Sequence, residues 1–93
     1  MQPTMHVYVD GTKEWTVAGK IHRLDGPAVE YRSGDKEWWV NDHIHRTDGP
    51  ALVYAGGVKC WYLHGQIHSF DRWLDRNTEL TDGEKVMMKL KYG

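Results

Sequence analysis

Through most of this chain the apolar residues come in short runs of Val, Tyr, Trp and Ile, broken by turn residues; a helical spacing appears only near the end. Between Ala28 and Asp48 the order is AVEYR, the turn SGD, KEWWV, the turn ND, then HIHR and TDGP. β-branched and aromatic residues favour strands, while Ser-Gly-Asp and Asn-Asp tolerate the positive φ that tight turns demand. The equivalents of Asn41–Asp42 are Ala18–Gly19 and His64–Gly65, which predicts a two-residue hairpin turn at each. Gly-Pro at 26–27 and 49–50 ends a unit, because proline donates nothing to a strand ladder.

The pattern repeats with a step of 23 residues. Trp15, Trp38 and Trp61 share it, as do Tyr8, Tyr31 and Tyr54, Gly11, Gly34 and Gly57, and His22, His45 and His68. It runs from about Met5 to Asp71 without insertions, and HR-x-DGPA occurs twice, at 22–28 and 45–51. Such a step is the signature of stacked supersecondary units. Along the long strand, Lys13/Lys36/Lys59, Trp15/Trp38/Trp61 and Val17/Val40/Leu63 keep their character, whereas Glu14/Glu37/Cys60 and Thr16/Trp39/Tyr62 vary. Alternate residues face opposite sides of a strand, so the constant set predicts the inner face and the variable set the outer one. The expected core is therefore the tryptophan column as a shared interior, joined by Tyr31 and Tyr54.

After Ile67 the period changes. Ser69 is a good N-cap for SFDRWLDRN, where Phe70, Trp73 and Leu74 follow helical spacing, and Thr81 with Glu84 forms a capping box before a second helix. Val86, Met87 and Leu90 make that helix's apolar stripe, with Lys85, Lys89 and Lys91 on a solvated side. Stacked repeats need covered ends, so the helices are expected to cap the array. The predicted fold is mainly β, an antiparallel meander of stacked β-hairpin repeats over 1–68, closed by a short C-terminal α-helical cap over 69–93.

Composition narrows the partners. Ninety-three residues suit one domain, and 12 Lys and Arg against 13 Asp and Glu leave a charge of -1. That balance gives no field of one sign, so neither nucleic acid nor a membrane surface is expected as a partner. The single Cys60 permits no internal disulfide. With no signal-like segment read at the start and no long apolar run, a cytoplasmic location is expected.

Candidate chemistry falls into three groups. The histidine column suggests zinc, but equivalent residues of stacked units lie at least ~9.6 Å apart, too far to share one ion, so no metal or other cofactor is expected. His22, His45, Arg23 and Arg46 either bridge neighbouring loops and pair with Asp25 and Asp48, or line a groove that grips an anion such as phosphate. Asp25 and Asp48 also suit capping of their own turns. No Ser, Thr or Cys nucleophile recurs with the His and Asp residues, so no enzyme is expected. The variable face offers Trp39 and Tyr62, large rings on an outward line, as the leading candidates for partner binding. The rival placement for Trp39 is beneath the C-terminal helices.

The unit G-x-K-x-W-x-x-x-G-K-x-H followed by DG, carried here by Gly11–Trp15 and Gly19–His22 and again by Gly34–Trp38 and His43–His45, resembles a variant of the MORN repeat. The resemblance implies a β-hairpin array and brings no catalytic residues with it. The HR-x-DGPA form is similar to arrays of phage and bacterial proteins, and SFDRWL followed by KLKYG looks like the tail of such phage proteins. It implies a non-catalytic phage accessory protein that binds and inhibits a host protein in the host cytoplasm. The alternative is a sponge for a small anionic, nucleotide-like signalling ligand; a hydrolase using a His-Asp dyad ranks lowest. Homo-oligomerisation through an exposed strand edge stays open.

Overall fold

The computed structural model describes residues 2–93, so Met1, the first residue of the predicted array, lies outside the described residues. The first unit comprises β1 (Thr4–Val7), β2 (Lys13–Val17) and β3 (Lys20–Ile21). The second comprises β4 (Val29–Glu30), β5 (Lys36–Glu37), β6 (Trp39–Val40) and β7 (His43–Ile44). The third comprises β8 (Leu52–Val53), β9 (Lys59–Leu63) and β10 (Gln66–His68), followed by helices α1 (Phe70–Arg76) and α2 (Asp82–Tyr92). All strand pairings are antiparallel. One sheet runs β1-β2-β4-β5-β8-β9-β10 with β3 beside β2, and β6 and β7 form a separate ribbon.

The register shows why the unit needs 23 residues. The first half of each long strand joins the continuous sheet, as Glu14 opposite Val29 and Glu37 opposite Leu52. The second half folds back on its own hairpin, as Thr16 opposite Ile21 and Trp39 opposite Ile44. The tryptophan sits at the changeover. Its N–H donates to the carbonyl of the buried alanine ahead, Trp15 to Ala28 and Trp38 to Ala51, both at 2.8 Å. Both central residues of each hairpin turn lie at positive φ (Ala18 +51° and Gly19 +78°, Asn41 +48° and Asp42 +67°, His64 +51° and Gly65 +81°), the geometry that matches strand twist. The wider turns before each long strand place Gly11, Gly34 and Gly57 at φ of +94 to +97°, which a Cβ would strain.

The core differs from the expected row of indoles. Trp61 is buried, but Trp15 and Trp38 are only half-buried. The reason is what covers each ring. α1 packs on β9 and β10, so Trp61 lies among Phe70, Trp73 and Tyr92 with centroids 4.7–4.9 Å away. Trp15 and Trp38 lie instead under an arginine of their own unit, Arg23 and Arg46, whose Cζ atoms stand 3.9 and 4.0 Å from the ring centroids. Tyr31 and Tyr54 are not core residues: they stay 41% and 43% exposed at the turns. Their backbones make the turn bonds, Tyr31 N–H to Asp35 and Tyr54 N–H to Val58, and this leaves the rings on the surface.

The caps are as expected. Ser69 Oγ accepts from Arg72 N–H at 3.3 Å, and Thr81 and Glu84 bond reciprocally at 2.9 and 3.2 Å. The orientation of α2 is not. Val86, Met87 and Leu90 face solvent, Leu90 at 77% exposure, while Met88 and Tyr92 pack against the core. Tyr92 meets the Trp61 ring edge-on, and that aromatic contact turns the helix away from its longer aliphatic stripe. No helix among the described residues is long and apolar enough to cross a membrane.

Candidate functional site

The two faces of the array present different chemistry. On one, the HR-x-DGPA run builds a closed structural unit. Arg23 Nε donates to Asp25 at 3.0 Å and its Nη1 to the Pro27 carbonyl at 3.1 Å, with the guanidinium over the Trp15 ring. Arg46 repeats this with Asp48 at 2.9 Å, Pro50 at 3.0 Å and Trp38. Each arginine thus pairs with the aspartate two residues on, Arg23 Nη1 also standing 3.5 Å from Glu30 of the second unit, and Asp25 and Asp48 meet arginine side chains instead of capping their own turns.

The histidines bridge units. His22 Nδ1 accepts the backbone N–H of Asn41 at 3.1 Å, and His45 Nδ1 accepts that of His64 at 2.9 Å. Each therefore caps the positive-φ hairpin turn of the next unit, and the accepting nitrogen must be unprotonated. The structure brings Arg23, Arg46 and His45 together around a groove of about 480 Å3, which Asp25, Asp48, Glu79 and Trp38 also line. Three carboxylates accompany the two guanidinium groups there, and each guanidinium already has an aspartate. His22 lies outside that groove, beside Pro3 and Leu24.

Burial, the His64 ring 4.5 Å away and its charge push the His45 pKa below the usual histidine range, against a smaller opposing pull from Glu79. The unfolded chain consequently binds a proton more readily than the folded one. The contribution of His45 to stability is complete above the ordinary histidine pKa near 6.5 and is lost as pH falls below it through the depressed value. Melting temperature should therefore drop between pH 7.5 and pH 5, and His45→Asn should flatten that limb of the profile. An unchanged slope in calorimetry would remove His45 as its source.

The opposite face carries the variable positions. Trp39 does not pack beneath the helices; it lines an open cavity of about 610 Å3 with Tyr8, Tyr31, Glu14 and Glu37. Glu37 organises this site. Its Oε1 accepts from Trp39 Nε1 at 2.9 Å and from the Tyr31 hydroxyl at 3.2 Å. The first unit repeats the second contact, with the Tyr8 hydroxyl donating to Glu14 at 3.2 Å. Burial, then the Glu37 charge, raise the Tyr31 pKa above the usual phenol value, and Glu14 does the same for Tyr8, so both hydroxyls remain proton donors. Tyr62 stands farther along this face. Its pKa is raised by burial and by the nearby Cys60, Tyr54 and Glu37.

Sequence reasoning singled out Trp39 and Tyr62 but missed Tyr8, Tyr31, Glu14 and Glu37 as members of the same site. The signal was available: tyrosine and glutamate recur six residues apart in the first two units, and Cys60 breaks the pairing in the third. No protein-family model, curated protein or solved structure matches the chain.

Proposed function

We propose that this chain is a non-catalytic binding module that docks a protein partner on the aromatic face around Trp39 and Tyr62. The observation that carries the reading is the open cavity in which Trp39, Tyr8 and Tyr31 stand together, their polar atoms held by Glu37 and Glu14. Aromatic rings whose orientation is fixed by hydrogen bonds lose little entropy on docking, which is why Tyr and Trp dominate binding hot spots. In the MORN-like, phage-related reading the partner is a host protein and binding inhibits it. The array supplies the surface into which the cavity is set.

The anion-sponge reading has less support, because Arg23 and Arg46 are each occupied by an aspartate, a proline carbonyl and an indole. Trp39→Ala is the direct test. The variant should lose capture of the partner recovered by wild-type protein from host lysate while unfolding cooperatively close to the wild-type temperature. Capture undiminished by the substitution rules out this face as the binding surface.

A further inference from the structure

We infer that the cavity beside Trp39 receives a basic side chain, an arginine or lysine presented by the protein partner. The inference rests on the binding reading above and names the chemistry of that partner.

Three observations lead to it. First, the cavity combines the rings of Tyr8, Tyr31 and Trp39 with the carboxylates of Asp10, Glu14 and Glu37, and among the described residues no Lys, Arg or His lines it. Asp10 is committed to its own turn, accepting the Thr12 N–H at 2.9 Å, and the charge of Arg32 reaches it. Glu14 and Glu37 are the carboxylates left to meet an occupant.

Second, the hydrogen bonds inside the site leave charge available. Both donors to Glu37 converge on Oε1, and among the described residues Oε2 accepts none; Glu14 likewise takes only the Tyr8 hydroxyl, on Oε1. An anionic occupant would face three carboxylates. A neutral apolar one would strip water from Glu14 and Glu37 without replacing it, a costly desolvation. A cation satisfies both carboxylates and is attracted by the ring faces as well.

Third, the other face of this molecule shows the same combination in use. Arg23 lies on Trp15 and bonds Asp25, and Arg46 lies on Trp38 and bonds Asp48. An indole with a carboxylate beside it is how these repeats hold a guanidinium. Trp39 with Glu37 is a second indole–carboxylate pair, opening onto a cavity instead of onto an arginine of its own chain.

The test is a nuclear magnetic resonance titration of the whole chain with N-acetyl-arginine-methylamide, its lysine counterpart, and the citrulline counterpart, which keeps the shape of arginine without its charge. The Trp39 indole N–H resonance should move saturably with a basic probe, and citrulline should bind about tenfold more weakly or worse. The Trp61 indole, under the helices, should stay in place. Glu14→Gln with Glu37→Gln retains the acceptor oxygens for Tyr8, Tyr31 and Trp39, so this double variant should keep its melting temperature and lose the response. Equal response to citrulline, or full response in the double variant, overturns the inference. So does movement of the same resonance on concentrating the protein without probe, because a second copy would then fill the cavity. Partner capture separates the two claims. Capture lost in Trp39→Ala but intact in the double glutamine variant leaves the docking face standing and rejects the basic side chain. Capture intact in both rejects the two together.

Discussion

Trp73→Ala should lower the unfolding free energy by about 3–5 kcal/mol, a large fraction of what a small domain possesses. Trp73 is fully buried, lies tilted against Trp61 with ring centroids 4.7 Å apart, and donates its indole N–H to the Arg46 carbonyl at 3.0 Å. Truncation leaves a cavity beneath α1 and an unpaired carbonyl in the second HR-x-DG loop. Asn77, whose side-chain amide donates to the Thr47 carbonyl at 2.7 Å, shares that attachment of α1 to the array. By contrast, Trp15→Ala should cost only roughly 1–2 kcal/mol, the scale of a half-buried ring and one cation–π contact. Urea unfolding of both variants decides between a graded core and a uniform one. Equal losses at Trp15 and Trp73 would mean that Trp15 is packed as fully as the ring beneath α1 and would contradict the packing described above.

Gly49→Ala should destabilise by about 1–3 kcal/mol, the usual range for forcing atoms into filled space. An added Cβ would stand 2.7 Å from Arg46 Cζ and 2.9 Å from its Nη1. The guanidinium would have to shift from its place against Trp38, Asp48 and the Pro50 carbonyl. Gly26→Ala should be milder, since the corresponding approach to Arg23 Cζ is 3.1 Å. The mechanism is checked by a double-mutant cycle: in an Arg46→Ala background, Gly49→Ala should cost little. An undiminished cost there would mean that the glycine is required by the backbone and not by the arginine. Either way, the experiment explains why Gly follows Asp in both copies of the HR-x-DGPA run.

The columns of the repeat made several elements readable in advance. Gly19, Asn41–Asp42 and His64–Gly65 favour tight hairpin turns because they tolerate positive φ, whereas Ala18 takes φ +51° with no such preference of its own. Ser69 and the Thr81–Glu84 pair mark helix starts by satisfying backbone N–H groups within a single turn. Glu37 and Trp39 were legible as one face because alternation along a strand is strict, and their side chains are hydrogen-bonded to each other. The assignment of Arg23 and Arg46 was only half readable. Pairing with Asp25 and Asp48 was one expectation, but stacking on Trp15 and Trp38 depends on the loop returning over its own strand.

Equivalent positions in the sequence do not have equivalent surroundings in space. Trp15, Trp38 and Trp61 occupy one column, yet only Trp61 lies beneath Phe70, Trp73 and Tyr92, because the chain follows the third unit with helices instead of another HR-x-DG loop. Tyr31 and Tyr54 have strand-forming character, but a turn bond fixes their backbones at the rim. Helix α2 carries two candidate apolar faces, and the position of the Trp61 ring selects the one with Met88 and Tyr92.

By itself the sequence determined the 23-residue step, the hairpins, the turn conformations and the helix caps, since each depends on residues close along the chain or on strict alternation. Tertiary structure alone decided which tryptophan became core, which side of α2 turned inward, and that Tyr8, Tyr31 and Trp39 meet around Glu14 and Glu37. Those outcomes depend on which surfaces the fold brings within van der Waals reach, and a periodic sequence assigns its copies no difference in that respect.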